Sequence, residues 1–252
     1  MELGVQSYTI RAYMQNEKDM ERSLKRVSEI GYREIQLSAI GKVPASKVRA
    51  LCDKYHLKIV LTHTAEDRFL YDLDAVLEEH KVYGCPHIGL GSMSERYCSE
   101  EGIRYFAEDF TDVAKKIRDA GMRFMYHNHH FEFARLPGGA LLMDALLAAM
   151  PADLMGVTAE TYWLQVAGID VVQWLRGHAD RLQCVHLKDL EVVGRETRMA
   201  PVLEGNINFQ DILAELKQNG QTKHILVEQD TCYESPFVCL EKSYRNVKKL
   251  GY

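Results

Sequence analysis

The chain has 252 residues, of which 46% are hydrophobic and 27% are charged. This composition excludes disordered, collagen-like and coiled-coil proteins and is typical of a globular chain. The 31 Lys and Arg residues and the 36 Asp and Glu residues give a formal charge of -5, which provides no general attraction to phosphate backbones or anionic membranes. We therefore expect neither a nucleic-acid partner nor a membrane partner.

The N-terminal residues contain no apolar core of the kind found in signal peptides, and no apolar run approaches the roughly 18 residues of a membrane span. Six cysteines are scattered without a Cys-x-x-Cys pair, which argues against a disulfide framework and against a structural zinc site. These features predict a cytoplasmic protein with reduced thiols.

Short apolar runs alternate with longer amphipathic segments along the whole chain, which is the pattern of repeated βα units. Eight strands are predicted at residues 3–8, 33–37, 58–63, 86–90, 122–127, 154–158, 182–187 and 224–228. Eight such units and a length near 250 residues predict one α/β domain over residues 1–252. The expected fold is a (β/α)8 TIM barrel of parallel strands with its active site at the C-terminal face. The polar stretch between Lys188 and Phe209 is predicted as a long functional loop.

Side chains that bind metals follow several of the predicted strands. These segments are Leu61-Thr62-His63-Thr64, Tyr126-His127-Asn128-His129-His130-Phe131-Glu132-Phe133, Thr158-Ala159-Glu160-Thr161-Tyr162-Trp163, Val185-His186-Leu187-Lys188-Asp189 and Val227-Glu228-Gln229-Asp230. Because the C-terminal ends of barrel strands meet at one mouth, the acids would gather there and destabilise one another without a cation. Three carboxylates and one imidazole from these segments would form an oxygen-rich site, which suits Mn²⁺ or Mg²⁺, with Zn²⁺ or Co²⁺ as alternatives.

At these segments the sequence resembles the xylose-isomerase-like TIM barrels, a family of sugar phosphate isomerases and epimerases that also includes inosose dehydratases and ketose 3-epimerases. Further matching segments are Gly4-Val5-Gln6-Ser7-Tyr8-Thr9, Ile30-Gly31-Tyr32 and Glu204-Gly205-Asn206. The resemblance implies one divalent metal ion held by Glu132, Glu160, His186 and Glu228, with His127 or His129 as alternatives to Glu132. The family has Asp where this chain has Glu160, whose extra methylene shifts the ion or places a water between. Barrels of this family often form dimers or tetramers, so a homo-oligomer is also compatible with the resemblance.

The resemblance implies a sugar or sugar-phosphate isomerase or epimerase that removes a proton next to a carbonyl. A divalent ion stabilises the developing enediolate, and carboxylates on either side of the substrate can exchange the proton. We therefore expect Glu132 and Glu228 to act as acid and base as well as ligands. His129 and Lys188 are further catalytic candidates, and the candidates for substrate binding are His63, Trp163, Arg198, Tyr8 and Gln36.

Three other functions are alternatives to a sugar isomerase or epimerase on this fold. A metal-dependent lyase or dehydratase acting on a keto-sugar, a keto-inositol or a 3-keto-glycoside would share the first proton abstraction. A sugar-binding barrel without catalysis is suggested only by Glu160. An endonuclease acting at abasic DNA sites on the same fold is disfavoured by the acidic charge balance.

Overall fold

The computed structural model describes residues 1–252, and ten strands and ten α-helices are present. The strands are β1 (Glu2–Gln6), β2 (Glu34–Leu37), β3 (Lys58–Thr64), β4 (His87–Leu90), β5 (Arg123–His127), β6 (Met155–Glu160), β7 (Cys184–Leu187), β8 (Asp189–Val193), β9 (Glu196–Ala200) and β10 (His224–Val227). The helices are α1 (Glu17–Ile30), α2 (Ala45–Lys54), α3 (Glu66–Tyr71), α4 (Leu73–Tyr83), α5 (Glu100–Asp119), α6 (Leu142–Ala149), α7 (Thr161–Val166), α8 (Val171–Gly177), α9 (Phe209–Asn219) and α10 (Pro236–Lys249).

Eight of the strands close into one parallel barrel in the order β1-β10-β7-β6-β5-β4-β3-β2. The predicted (β/α)8 fold is therefore confirmed. Strands such as β6 are buried along their whole length, because their residues face either the barrel interior or the surrounding helices. Since all eight barrel strands run in the same direction, their C-terminal ends form a single mouth. No helix is both long enough and apolar enough to cross a membrane.

Helix α5 shows how the amphipathic segments attach to the barrel. The side chain of Ser99 caps its N-terminus by accepting a hydrogen bond from the backbone of Gly102. Phe106 and Phe110 lie one turn apart on its buried face with ring centroids 4.4 Å apart, and Phe110 stacks on Phe124 of β5 at 5.5 Å. Apolar packing of this kind fixes where each strand ends and hence where the mouth residues lie.

The polar stretch after Lys188 is more ordered than predicted. It contains the antiparallel hairpin of β8 and β9, so the expectation of an irregular loop was wrong over these two strands. The polar composition of the stretch gave no sign of two short strands, which are buried at the barrel end and exposed at the turn between them.

Asp189 holds this hairpin against the barrel. Its side chain is fully buried, and its two carboxylate oxygens accept hydrogen bonds from four backbone N–H groups at 2.7 to 3.1 Å. The donors are Leu190, Leu203, Gly205 and Ile207. A buried carboxylate therefore organises the segment between β9 and α9 without any cationic side chain.

Replacing Asp189 by Ala should lower the free energy of unfolding by about 2 to 4 kcal/mol, because four buried N–H groups lose their acceptor. Urea denaturation measures this loss. The matched control is Asp180→Ala, since Asp180 is an exposed acid at a turn. Equal stability of the two variants would show that the carboxylate does not hold the hairpin.

The end of the barrel opposite the mouth contains a group of buried ionisable side chains. His224 contacts Glu34 at 2.6 Å, and the ring of His87 lies 5.5 Å from that of His224. The Nδ1 atom of His87 bonds to the carbonyl oxygen of Val60 at 2.8 Å, so this nitrogen carries a hydrogen and donates it. Burial, opposed in part by this hydrogen bond, lowers the pKa of His87 to about 4.

His87 should therefore make the fold sensitive to acid. An unfolded histidine takes up its proton near pH 6.5, whereas folded His87 resists protonation to about pH 4, so stability is lost as the pH falls through this window. The loss attributable to His87 is about 3 kcal/mol. The free energy of unfolding of His87→Gln should therefore fall by about 3 kcal/mol less between pH 7 and pH 4 than that of the unaltered protein. The control His130→Gln alters an exposed histidine and should show the same fall as the unaltered protein.

Candidate metal centre

Four buried side chains converge at the mouth of the barrel. They are His127, Glu160, His186 and Glu228, and one ligand atom from each lies within 4.8 Å of the others. Three end or lie within β5, β6 and β7, and the fourth directly follows β10. These strands are consecutive neighbours in the barrel, so strand pairing alone brings the four residues together.

The orientation of each imidazole is set by a hydrogen bond on its far side. His127 donates from Nδ1 to the backbone carbonyl of Gly91 at 3.0 Å, which leaves its Nε2 without a hydrogen. The Nε2 atom of His186 lies 2.7 Å from the amide oxygen of Gln36, which can only accept, so Nε2 is the donor. The Nδ1 atom of His186 is thereby directed toward the carboxylates. Outer hydrogen bonds of this type orient histidine ligands in metal proteins.

The four inward-facing atoms share a further property. Each of them is buried and makes no hydrogen bond: Nε2 of His127, Oε2 of Glu160, Nδ1 of His186 and Oε2 of Glu228. The two carboxylate oxygens do make ion-pair contacts, since each lies 3.0 to 3.3 Å from Nδ1 of His186 and from the Lys188 ammonium. Buried polar atoms nearly always make hydrogen bonds, so four that make none and point to the same place need an explanation. A divalent cation would supply the missing partner of all four, and the residues present therefore fit a metal ion.

Glu160 combines two roles through its two oxygens. Oε1 accepts a hydrogen bond from the backbone of Tyr162 at 3.2 Å and so caps α7, while Oε2 joins the group of four. The backbone N–H of Glu160 also donates to the side chain of Asn128 at 2.9 Å. These contacts hold the longer Glu side chain with one oxygen directed at the candidate metal position.

Lys188, which directly follows β7, contacts the same carboxylates. Its ammonium lies 3.1 Å from Glu160, 3.3 Å from Glu228 and 3.0 Å from Asp230. The neighbouring Asp189 does not pair with Lys188, because its carboxylate accepts hydrogen bonds from the backbone of Leu203 and Gly205. Lys188 is nevertheless almost completely buried, because three acids balance its charge.

This arrangement strongly perturbs ionisation. Burial alone would raise the pKa of Glu160, but the charges of Lys188 and His186 lower it to about 2. Burial likewise opposes the charged form of His186, but the carboxylates of Glu228 and Glu160 raise its pKa to about 9. Burial, followed by the charge of Glu228, raises the pKa of Asp230 to about 6. Opposed shifts of this size are typical of functional sites.

The structure places Glu132 outside the group of four. Its side chain is fully buried, with one oxygen accepting from the Tyr126 hydroxyl at 2.7 Å and the other from the backbone of His129 at 2.8 Å. Both oxygens are thus already satisfied, and the alternative ligand His127 occupies the strand-five position instead. Glu132 lies behind the imidazole of His129, with 3.7 Å between Oε1 and Nδ1.

A polar cavity of about 200 Å³ opens above the candidate metal position. Its lining residues are Tyr8, Ser38, His63, Gly91, His127, His129, Trp163, Lys188, Glu228 and Asp230. Six of the residues expected to act in catalysis or substrate binding line it: Tyr8, His63, His129, Trp163, Lys188 and Glu228. Gly91 packs closely against His63, since a Cβ there would lie 3.0 Å from the ring nitrogen and would require the ring to shift slightly.

Two of the expected substrate contacts are placed elsewhere. Gln36 is fully buried behind His186 and does not line the cavity. Arg198 bonds to Glu191 at 2.7 Å and stacks over the ring of Tyr233 at 4.3 Å. The sequence analysis positioned both residues near the mouth but could not determine which neighbours they contact.

Asp230 and Asn128 were not singled out by the sequence analysis, although both stand in motifs that it quoted. Asp230 lines the cavity and holds Lys188, and Asn128 holds the backbone of Glu160. The available signal was their position within two residues of a candidate ligand, where a polar side chain can support that ligand.

The sequence and structure were compared with known proteins. A family model described as xylose isomerase-like TIM barrel matches residues 24–237. Inosose dehydratase of Clostridium beijerinckii is 28% identical in a match of 174 aligned residues that covers 62% of this chain and 57% of that enzyme. The match therefore covers little more than half the length of this curated relative.

Solved structures show the same fold over nearly the whole chain. A sugar phosphate isomerase/epimerase from Parabacteroides distasonis ATCC 8503 superposes with a TM-score of 0.82 at 20% identity, covering 98% of this chain and 93% of that one. A structure described as IOLI protein with a zinc atom bound has a TM-score of 0.74 at 13% identity, covering 99% of this chain and 98% of that one. At these identities the structures establish the common fold.

Replacing Gln36 by Leu should weaken divalent-metal binding about 10- to 100-fold, because His186 loses the acceptor that directs Nδ1 toward the metal. Gln36→Glu should retain affinity, since a carboxylate also accepts this hydrogen bond. The matched control is Gln6→Leu, which changes the buried glutamine paired with Gln36 across β1 and β2. Competition with a chromophoric chelator measures the affinities, and equal effects of the two Leu variants would exclude a specific role for Gln36.

Proposed function

Because the chain belongs to the xylose isomerase-like TIM barrel family, we propose that it is a metal-dependent enzyme that removes a proton next to the carbonyl of a polyhydroxy ketone. The observation that carries this proposal is the set of four unpaired ligand atoms beneath a polar cavity. The net reaction we propose is isomerisation or epimerisation of a sugar.

The proposed ligands are His127, Glu160, His186 and Glu228. The set contains two imidazoles and two carboxylates, so it has fewer oxygen donors than the sequence had suggested. Such a mixed set suits Zn²⁺, Mn²⁺ or Co²⁺ better than Mg²⁺. The zinc atom in the IOLI protein structure supports the same range of ions. When bound, the ion polarises substrate oxygens and stabilises negative charge that develops beside the carbonyl.

Glu228 and His129 are the proposed acid and base. Both line the cavity, and they follow β10 and β5, which lie three places apart round an eight-stranded barrel and so approach the substrate from well-separated directions. Glu132 cannot take this role because it does not line the cavity and both its oxygens are bonded. We propose instead that its carboxylate orients the imidazole of His129 from behind, as in other acid-histidine pairs.

The other cavity residues bind the substrate and set its environment. Lys188 keeps the carboxylates of Glu160 and Glu228 ionised and adds a positive charge beside the reacting oxygen atoms. Trp163 lies with its ring 5.5 Å from the Lys188 ammonium and provides an apolar face for the C–H side of a sugar. His63 and Tyr8 complete the polar wall.

The second candidate function is a lyase or dehydratase, and it is favoured by the match to inosose dehydratase. Such an enzyme would use the same proton abstraction and then expel a hydroxide from the carbon beyond the enolate. His129 could protonate that leaving group. With His127 rather than Glu132 in the group of four, Glu228 is the one carboxylate of that group that lines the cavity. A single base of this kind is compatible with an elimination reaction.

Incubation of the metal-loaded protein with D-fructose, D-tagatose or scyllo-inosose in deuterium oxide tests the proposal by NMR. The proposal predicts loss of the proton next to the carbonyl for at least one of the three, and loss of this exchange after chelation. Exchanged or epimerised ketose indicates an isomerase, and a dehydrated product indicates a lyase. Metal-loaded protein that exchanges no proton from any of them would contradict the proposal.

Replacing His129 by Gln should lower the exchange rate about 10²- to 10⁴-fold, because the proposed base is lost, while metal content stays at the wild-type value. The matched control, His130→Gln, alters the adjacent exposed histidine, which does not line the cavity. Exchange rates and metal analysis are measured on the same samples. Full activity of His129→Gln would remove this residue from the reaction.

A further inference from the structure

We infer that the cavity selects an uncharged polyhydroxy ketone and discriminates against its phosphate ester. This inference rests on the proposed function and specifies its substrate class. It follows from the charges round the cavity and from the state of the hydrogen-bond donors that could otherwise bind a phosphate.

The charges at the cavity cancel once a divalent ion is present. The negative charges belong to Glu160, Glu228 and Asp230, and the positive ones to Lys188 and the ion, so three negative charges face three positive ones. Glu132, behind His129, adds a further negative charge. No positive charge is left over for a phosphate dianion, and burial of an unpaired anion is costly.

No arginine lines the cavity, and both Arg11, which contacts lining residues, and Arg198, which was expected to bind substrate, have partners of their own. Arg11 donates to the backbone carbonyls of Tyr8 and Asp230 and lies over the Tyr8 ring. Arg198 is bonded to Glu191. Phosphate recognition usually relies on arginine forks that face the ligand, and these contacts hold both guanidinium groups outside the lining of the cavity.

Five backbone donors near the usual phosphate position are also bonded within the protein. In TIM barrels phosphate often binds at the loops after the seventh and eighth barrel strands, which here are β7 and β10. After β7, four backbone N–H groups point at the Asp189 carboxylate instead. After β10, the N–H of Gln229 donates to Thr9. An internal anion therefore fills the group of amides that could have bound a substrate phosphate.

The groups that remain free suit hydroxyl and carbonyl oxygens. His63 has a buried ring nitrogen, Nε2, without a partner, and His63 and His129 both line the cavity, with Nδ1 of His129 on the side of Glu132. Neutral imidazoles donate or accept single hydrogen bonds, as hydroxyl groups do. A cavity of about 200 Å³ is below the usual range for drug-sized ligands, so it suits one monosaccharide or cyclitol unit.

The test compares binding of two matched pairs to the metal-loaded protein by calorimetry: D-fructose with D-fructose 6-phosphate, and D-tagatose with D-tagatose 6-phosphate. Each ester should bind at least about tenfold more weakly than its parent sugar, since its dianion finds no unpaired cation. An ester that binds as tightly as its parent, or more tightly, would overturn the inference.

A charge variant tests the cause. Asp230→Asn removes one negative charge that is not in the group of four, so it should reduce the ratio of ester to parent dissociation constants at least about threefold. The control Glu196→Gln removes an exposed charge on the hairpin and should leave the ratio unchanged. An unchanged ratio in folded Asp230→Asn would contradict the charge balance, and the wild-type comparison does not depend on this variant. Binding is measured independently of turnover. A preference for the esters would therefore contradict this inference without contradicting the proposed proton abstraction. Absence of proton exchange would contradict the proposed reaction and not the binding preference.

Discussion

The structure depends on how two buried carboxylates are accommodated at the mouth of the barrel. Glu160 and Glu228 are both buried, and each has an oxygen without a hydrogen-bond partner within 4.8 Å of the other members of the group. Burial of an unpaired carboxylate costs several kcal/mol. The neighbouring features of the mouth, including Lys188, the oriented histidines and the proposed metal ion, reduce this cost.

The fold contributes by placing rigid backbone under each of these groups. Adjacent parallel strands end together, so β5, β6, β7 and β10 present one residue each without a long loop between ligand and scaffold. Gly91 offers its carbonyl oxygen to His127 and leaves room for His63. Asp189 fixes the segment that follows β7 through backbone contacts alone. Sites on strand ends held in this way keep their geometry better than sites on free loops.

The barrel could be predicted from the sequence because eight apolar runs and amphipathic segments repeat with regular spacing. Three of the four side chains that converge at the mouth, Glu160, His186 and Glu228, were also expected there, since they stand at or just after strand ends. The fourth position was assigned to Glu132 with His127 as an alternative, and the choice depends on which side chain of a tight turn points inward. Strand periodicity gives the inward residue only up to the end of the strand, and Glu132 lies five residues beyond His127.

The contacts of Gln36 and Arg198 could not be predicted for a related reason. Gln36 reaches His186 across 150 positions of sequence, and only the closure of the barrel brings them together. Arg198 is paired with Glu191 because the two face each other in a hairpin that polar composition did not reveal. In both cases the pattern locates the residue at the correct end of the barrel, whereas its partner follows from tertiary packing.

The central claim is that one divalent ion binds the four unpaired atoms of His127, Glu160, His186 and Glu228. X-ray absorption spectroscopy of the protein loaded with one equivalent of Zn²⁺ measures the donors directly. The account predicts two imidazole nitrogens and at least two oxygens at about 2.0 to 2.2 Å, with one imidazole lost from the spectrum of His127→Ala. A spectrum with one imidazole in the unaltered protein, or one that His127→Ala leaves unchanged, would contradict it.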